Sequence, residues 1–340
     1  MLRVVRHPHL EPITSAFQVS TTVAPSITLD IGGDNATAAR TAAGAFSLTH
    51  RTAFARTPVV IGTIGTDIAA GGYFTSTVGT TSSLIAAGAS LDNAGSADDG
   101  TADCLVFGWN SDVTDITKLQ DVCGRRRAVR VIGCKVTTDT QVATVSVSKG
   151  DFTVTWVSTG VYTVTYKRAF AAMPLVFASG IHTSAIRAPK VTSKTKAGCV
   201  VTLYDETGTV QDGDFYLLVY GFDMWDVHGR AKAPIENSQR KPRLLAGRIT
   251  VTGGTPAIAI SSNDFSSVTD NGSGDYSPVF RTAFKREPIV ICSGANVRAT
   301  LKSAASTTEF RVITANAAGA STEATSVDFI VLGSDDSTVY

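Results

Sequence analysis

Residues 160–180 read GVYTVTYKRAFAAMPLVFASG, and this stretch decides the fold. Tyr162, Val164 and Tyr166 alternate with Thr163 and Thr165, the period of two that belongs to a strand with one buried face. Lys167 follows, then Phe170, and Pro174 opens the apolar run Leu175-Val176-Phe177. Proline cannot donate to a ladder, so it ends one pairing or begins a new edge. The run behind it reads as a buried strand.

The same pattern stands twice more without gaps, as GAFSLTHRTAFARTPVV from Gly44 and GDYSPVFRTAFKREPIV from Gly274. The core residues of the repeat are therefore Phe54 and Pro58, Phe170 and Pro174, and Phe284 and Pro288. A second block closes each copy: Cys104-Leu-Val-Phe-Gly108, Leu217-Leu-Val-Tyr-Gly221 and Phe329-Ile-Val-Leu-Gly333. It reads as the last strand of a sheet, ended by its glycine, with Asn110, Asp223 or Asp335 capping the turn beyond. Successive copies lie roughly 115 residues apart, the length of an ordinary domain. Copies one and three depart from the pattern at its first strand. His50 stands where Tyr166 and Phe280 stand, and Pro278 interrupts the alternation in copy three.

Turn clusters such as Gly71-Gly72, Asp98-Asp99-Gly100, Asp212-Gly213-Asp214 and Asn271-Gly272 separate the apolar stretches. Short strands at this spacing predict an all-β chain of three tandem antiparallel β-sandwich domains with jelly-roll-like connections. The domains are placed at 1–124, 125–239 and 240–340, with one short helix over Thr114–Val122 in the first linker.

Hydrophobic residues make up 43% of the chain and charged ones 17%, so each copy has enough apolar material for its own core. The 30 basic and 29 acidic residues nearly balance, which removes a chain-wide attraction to nucleic acid or to a membrane surface. No stretch approaches the roughly 20 apolar residues that cross a bilayer. The basic N-terminal stretch lacks the apolar core of a signal peptide.

No constellation of nucleophile, base and orienting group is evident, and no nucleophile elbow, phosphate loop or dinucleotide fingerprint occurs. The chain is read as having no catalytic residues, no cofactor and no metal ligands; His7 and His9 stand apart from other ligand types. Basic clusters recur at the domain joints: Arg125, Arg126 and Arg127 with Arg130, then Arg240, Lys241 and Arg243. They are candidates for docking an acidic partner surface or for packing between domains; nucleic acid is disfavoured because aromatic interleaving is missing. Cys123 and Cys134 bracket the first cluster and form a candidate cross-link, while Cys104, Cys199 and Cys292 read as small buried strand residues.

The block from Gly160, with its alternating aromatics, basic residue, Phe and Pro step, resembles a domain pattern of tailed-bacteriophage virion proteins of the head-decoration, neck and tail-fibre type. That resemblance implies a non-enzymatic structural protein located in the virion. It would contact other virion proteins and form a homo-oligomer, with a trimer favoured. The block is also similar to lectin-like modules of phage fibres. On that alternative, aromatics such as Tyr73, Trp156, Tyr204 and Trp225 grip a host surface glycan.

Overall fold

The computed structural model describes residues 12–20, 26–31, 37–49, 58–64, 72–76, 84–91, 94, 96–109, 129–139, 141–147, 151–181, 187–222, 242–261, 264–295 and 297–334. These residues are all-β. Copy one contributes β1 (Pro12–Ser20), β2 (Ser26–Ile31), β3 (Thr37–Ala42), β4 (Ala45–Thr49), β5 (Val59–Ile64), β6 (Tyr73–Ser76), β7 (Leu84–Leu91) and β8 (Thr101–Trp109). Copy two contributes β9 (Val129–Asp139), β10 (Val142–Val147), β11 (Phe152–Ser158), β12 (Val161–Tyr166), β13 (Leu175–Gly180), β14 (Ala188–Thr192), β15 (Gly198–Tyr204) and β16 (Phe215–Phe222). Copy three contributes β17 (Pro242–Thr252), β18 (Thr255–Ser261), β19 (Phe265–Asp270), β20 (Asp275–Phe280), β21 (Ile289–Gly294), β22 (Arg298–Leu301), β23 (Val312–Ala315) and β24 (Ser326–Ser334).

Each copy is a sandwich of two four-stranded antiparallel sheets with the same order. In copy two these are β10-β9-β16-β13 and β11-β12-β15-β14; copies one and three repeat both sheets strand for strand. The connections differ from a jelly roll, in which consecutive strands alternate between the two sheets. Here β9–β10 and β11–β12 are hairpins within one sheet. For the β11–β12 hairpin and its equivalents in the other copies, the physical cause is the turn chemistry. Gly44, Gly160 and Gly274, the first residues of the three repeats, have φ of 62°, 66° and 69°. That left-handed conformation lets a tight turn tie neighbouring strands together. The proposed domain boundaries fall between β8 and β9 and between β16 and β17. The helix expected over Thr114–Val122 lies outside the described residues.

The repeat residues explain one another. Tyr162, Val164 and Tyr166 face the core of copy two, as their alternation predicts. The closing glycine does not end its strand: Gly221 lies inside β16 and Gly333 inside β24. A Cβ at Gly221 would come within 2.7 Å of the Phe170 ring, and one at Gly333 within 2.3 Å of Phe284. The phenylalanine of one block therefore rests on the glycine of the other. Pro278 has its cost as well. The ladder of β20 with β23 holds only Asp275↔Ile313 and Tyr276↔Val312, whereas β12 pairs β15 from Val161 through Thr165.

The run after each proline is an edge strand buried on both faces. Val176 and Ala178 point into the sandwich of copy two, while Leu175 and Phe177 join a cluster shared by all three copies. Val59 and Ile61 of β5 and Ile289 and Ile291 of β21 enter the same cluster. Strands β5, β13 and β21 pack against one another, so the three sandwiches close into a ring. Six such side chains at about 2 kcal/mol each outweigh any single polar contact. Apolar burial closes the ring, and polar groups fix its register.

Candidate functional site

The ring joints carry the most distinctive chemistry of the described residues. The free edges of β5, β13 and β21 would expose backbone N–H groups, a liability that sheet proteins must cover. Here neighbouring copies cover them. Asp328 of copy three accepts the Val60 N–H of copy one at 3.0 Å, and Asp103 of copy one accepts the Val176 N–H of copy two at 3.0 Å. Thr63 Oγ1 accepts the Ala178 N–H at 3.2 Å, and Ser179 Oγ accepts the Cys292 N–H at 3.1 Å. Thr300 donates to the Gly180 carbonyl at 2.6 Å.

Asp103, Tyr216 and Asp328 each stand immediately before a closing block, and each meets the following copy. Their ladder partners are Gln18, Lys135 and Arg248. Asp103 takes 2.6 Å contacts from Lys194 Nζ on both oxygens and a 3.0 Å bond from Gln18. Asp328 is gripped by Arg248 through Nε at 2.5 Å and Nη2 at 2.7 Å, with both side chains 2% exposed. Burial alone would push the Arg248 guanidinium down; the Asp328 charge and hydrogen bond outweigh it and raise it. Copy two replaces the carboxylate with a phenol. Tyr216 donates to Glu287 at 2.5 Å and accepts the Ala305 N–H at 2.9 Å, while Lys135 pairs with the same Glu287 at 2.9 Å. Burial, then the bond to Glu287, drives its hydroxyl pKa upward.

Two further polar latches hold the sandwiches internally. Asp212 accepts from Gly160 N–H at 2.6 Å, Tyr162 Oη at 2.8 Å and Trp156 Nε1 at 3.2 Å. Burial raises its pKa, but these donors together bring the carboxyl below its ordinary value. In copy one Asp99 does the same for Gly44 at 2.6 Å, and Arg40 pairs with it at 2.9 Å in the place of Trp156. Trp156 thus gives its indole N–H to a latch within copy two and is half-buried there. Trp225 lies outside the described residues.

The expected docking arginines resolve differently. Arg243 places its guanidinium 3.8 Å from the Phe284 ring centroid and donates to the Thr282 carbonyl. Arg130 does the same on Phe170, at 3.8 Å, with the Arg168 carbonyl. These two clamp the repeat phenylalanines of their own copies. Arg125, Arg126, Arg127, Arg240 and Lys241 lie outside the described residues, as do Phe54, Cys123 and all five histidines. Pro58, Pro174 and Pro288 are buried.

Cys134, expected beside an exposed linker, is instead a fully buried free thiol facing the core of copy two; strand β9 begins early enough to carry it inside. Cys104, Cys199 and Cys292 are buried free thiols as well. Burial pushes Cys199 to about 11 and Cys292 to about 12, which keeps them protonated and unreactive. Among the described residues no group of His, Cys, Asp and Glu gathers to hold a metal ion. No helix there is long and apolar enough to cross a membrane.

Sequence reading missed the joint residues Asp103, Tyr216, Asp328, Lys194, Arg248 and Glu287. A signal existed for two of them: Asp103 and Asp328 interrupt strands that are otherwise apolar, and a buried charge requires a partner. No protein family, no curated protein and no solved structure matches this chain.

Proposed function

We propose that the chain is a non-enzymatic structural protein of a bacteriophage virion, of the decoration, neck or fibre type, and that it acts through contacts with other virion proteins. One observation carries this reading: three tandem sandwiches close on themselves through buried joints and a shared apolar cluster. Such a closed ring covers the β5, β13 and β21 edges internally. That suits a packed particle, where open edges would pair indiscriminately. Three copies of one fold in one chain also occupy the places that three subunits of a trimer would take. A single chain therefore supplies the three-fold unit, and the homotrimer implied by the resemblance is not needed to build it. The joint carboxylates Asp103, Glu287 and Asp328 are each paired with a cation, in keeping with architecture rather than turnover.

Purified native particles test the reading. Mass spectrometry should find the full chain in stoichiometric amount, and electron microscopy with the chain labelled should place it at fixed sites. Absence from particles, together with selective binding of the full chain on a glycan array, would replace this reading with the receptor-binding one.

A further inference from the structure

A cavity of about 50 Å³ lies where the three copies meet, at the ends of β5, β13 and β21. Each copy contributes an equivalent hydroxyl to its lining: Thr63, Ser179 and Ser293. Larger groups join them: Tyr73 and Phe74 from copy one, Arg187 from copy two and Arg298 from copy three. Two guanidinium groups line it, and no carboxylate of the described residues does.

The lining is arranged to donate. Thr63 Oγ1 already accepts the Ala178 N–H, so its own hydroxyl proton is left to give. Arg298 is 3% exposed and its Cζ lies 4.9 Å from the Tyr73 ring centroid, which fixes the guanidinium across the joint between copies three and one. Arg187 Nε donates to the Asp212 carbonyl at 3.0 Å, and a Cβ at Gly180 would strike the Arg187 backbone at 2.2 Å, so this arginine too is held in place. Burial is the largest influence on Arg298 and disfavours its charged form; Tyr73, Glu206 and Asp205 offset it in part. An anion within the cavity would offset it directly.

Size selects the ligand. Sites for sugars and drug-sized molecules run to about 300–1,000 Å³, whereas one water needs roughly 10–15 Å³. This cavity holds one small polyatomic ion. Guanidinium groups present parallel N–H donors that match the oxygens of phosphate and sulfate.

We propose that the junction of the three copies is a binding site for one tetrahedral oxyanion of the phosphate or sulfate class, held by Arg298, Arg187 and the Thr63 hydroxyl. Because the ligand touches all three copies, its binding locks the ring, and the folded chain gains stability by mass action.

The test uses the full chain. Crystals soaked in selenate should show one anomalous peak in the cavity. Calorimetric titration with inorganic phosphate, at ionic strength held constant with sodium chloride, should saturate at one ion per chain. Arg187→Gln, at the half-buried side, should weaken phosphate at least about tenfold, and Thr63→Ser should retain it. Arg298→Gln should abolish it, with circular dichroism reporting whether that variant keeps its fold. Phosphate and sulfate also stabilise proteins nonspecifically by exclusion from the surface. An equal rise in melting temperature for the wild type and Arg187→Gln, with no saturable titration, would therefore overturn the site. A selenate peak without binding at millimolar phosphate would mark an adventitious ion only and overturn it equally.

Discussion

Copies two and three share strand order, hairpin glycines and the Phe-on-Gly contact, yet they keep their critical carboxylate in different places. Copy three puts Asp328 at its joint to copy one and has Ala324 where copy two has Asp212. Copy two puts Tyr216 at its joint to copy three and keeps Asp212 to hold the hairpin turn of Gly160. The backbone geometry of the repeat is fixed by packing, while the polar groups that satisfy it are interchangeable. A donor N–H at an edge needs an acceptor nearby, and it does not matter which strand delivers it.

The largest effect should come from the joint with the ion pair. Asp328→Ala leaves Arg248 buried without its carboxylate, at a cost of about 3–5 kcal/mol. A shift in the urea midpoint reads it. The paired change Arg248→Met with Asp328→Leu should recover most of that loss, since apolar replacements of buried ion pairs are often near neutral. If the double variant is as unstable as the single, the carboxylate's bond to the Val60 N–H matters more than the ion pair.

Next in size, Gly333→Ala should destabilise copy three by about 1–3 kcal/mol through overpacking against Phe284. Gly221→Ala should cost less, because its Cβ approach to Phe170 is 2.7 Å against 2.3 Å. Thermal melts of the two variants rank them; the reverse order would show that the Phe170 side of copy two is the tighter.

Tyr216→Phe should cost about 1–2 kcal/mol, for the Ala305 N–H left without its acceptor and the lost bond to Glu287. This is well below Asp328→Ala. Equal losses at the two joints would erase the distinction between them.

The smallest effect is a pH dependence. The folded pKa of Asp212 lies below its ordinary 3.8. Its contribution is therefore complete above about that pH and disappears as pH falls through the lower folded value. Asp212→Ala should be less stable than wild type at neutral pH, and the gap should close on acidification. Ala324→Asp in copy three offers the converse trial. A gap that stays constant down to pH 2 would show that Asp212 acts by packing rather than by charge.

Much of this was legible in the residues. The alternation through Tyr162, Val164 and Tyr166, the proline that opens β13 and the repeated blocks together specify a sandwich and its number of copies. The meaning of the closing glycine was not legible, because it depends on a ring that arrives from another strand. Arg243 and Arg130 read as candidates for partner docking or inter-domain packing but stack on Phe284 and Phe170 of their own copies, a contact that spans about 40 residues of chain. Cys134 read as linker and is core, since the register of β9 against β16 turns it inward at Leu217.

By itself the sequence determined that three like sandwiches follow one another, because a strand's alternation and a glycine's turn are local and repeat with the residues that cause them. Only the tertiary structure decided that those sandwiches close into a ring with Arg187 and Arg298 at its junction. That closure depends on which edge strand meets which neighbour, and the residues that meet, such as Val60 and Asp328, lie 268 positions apart.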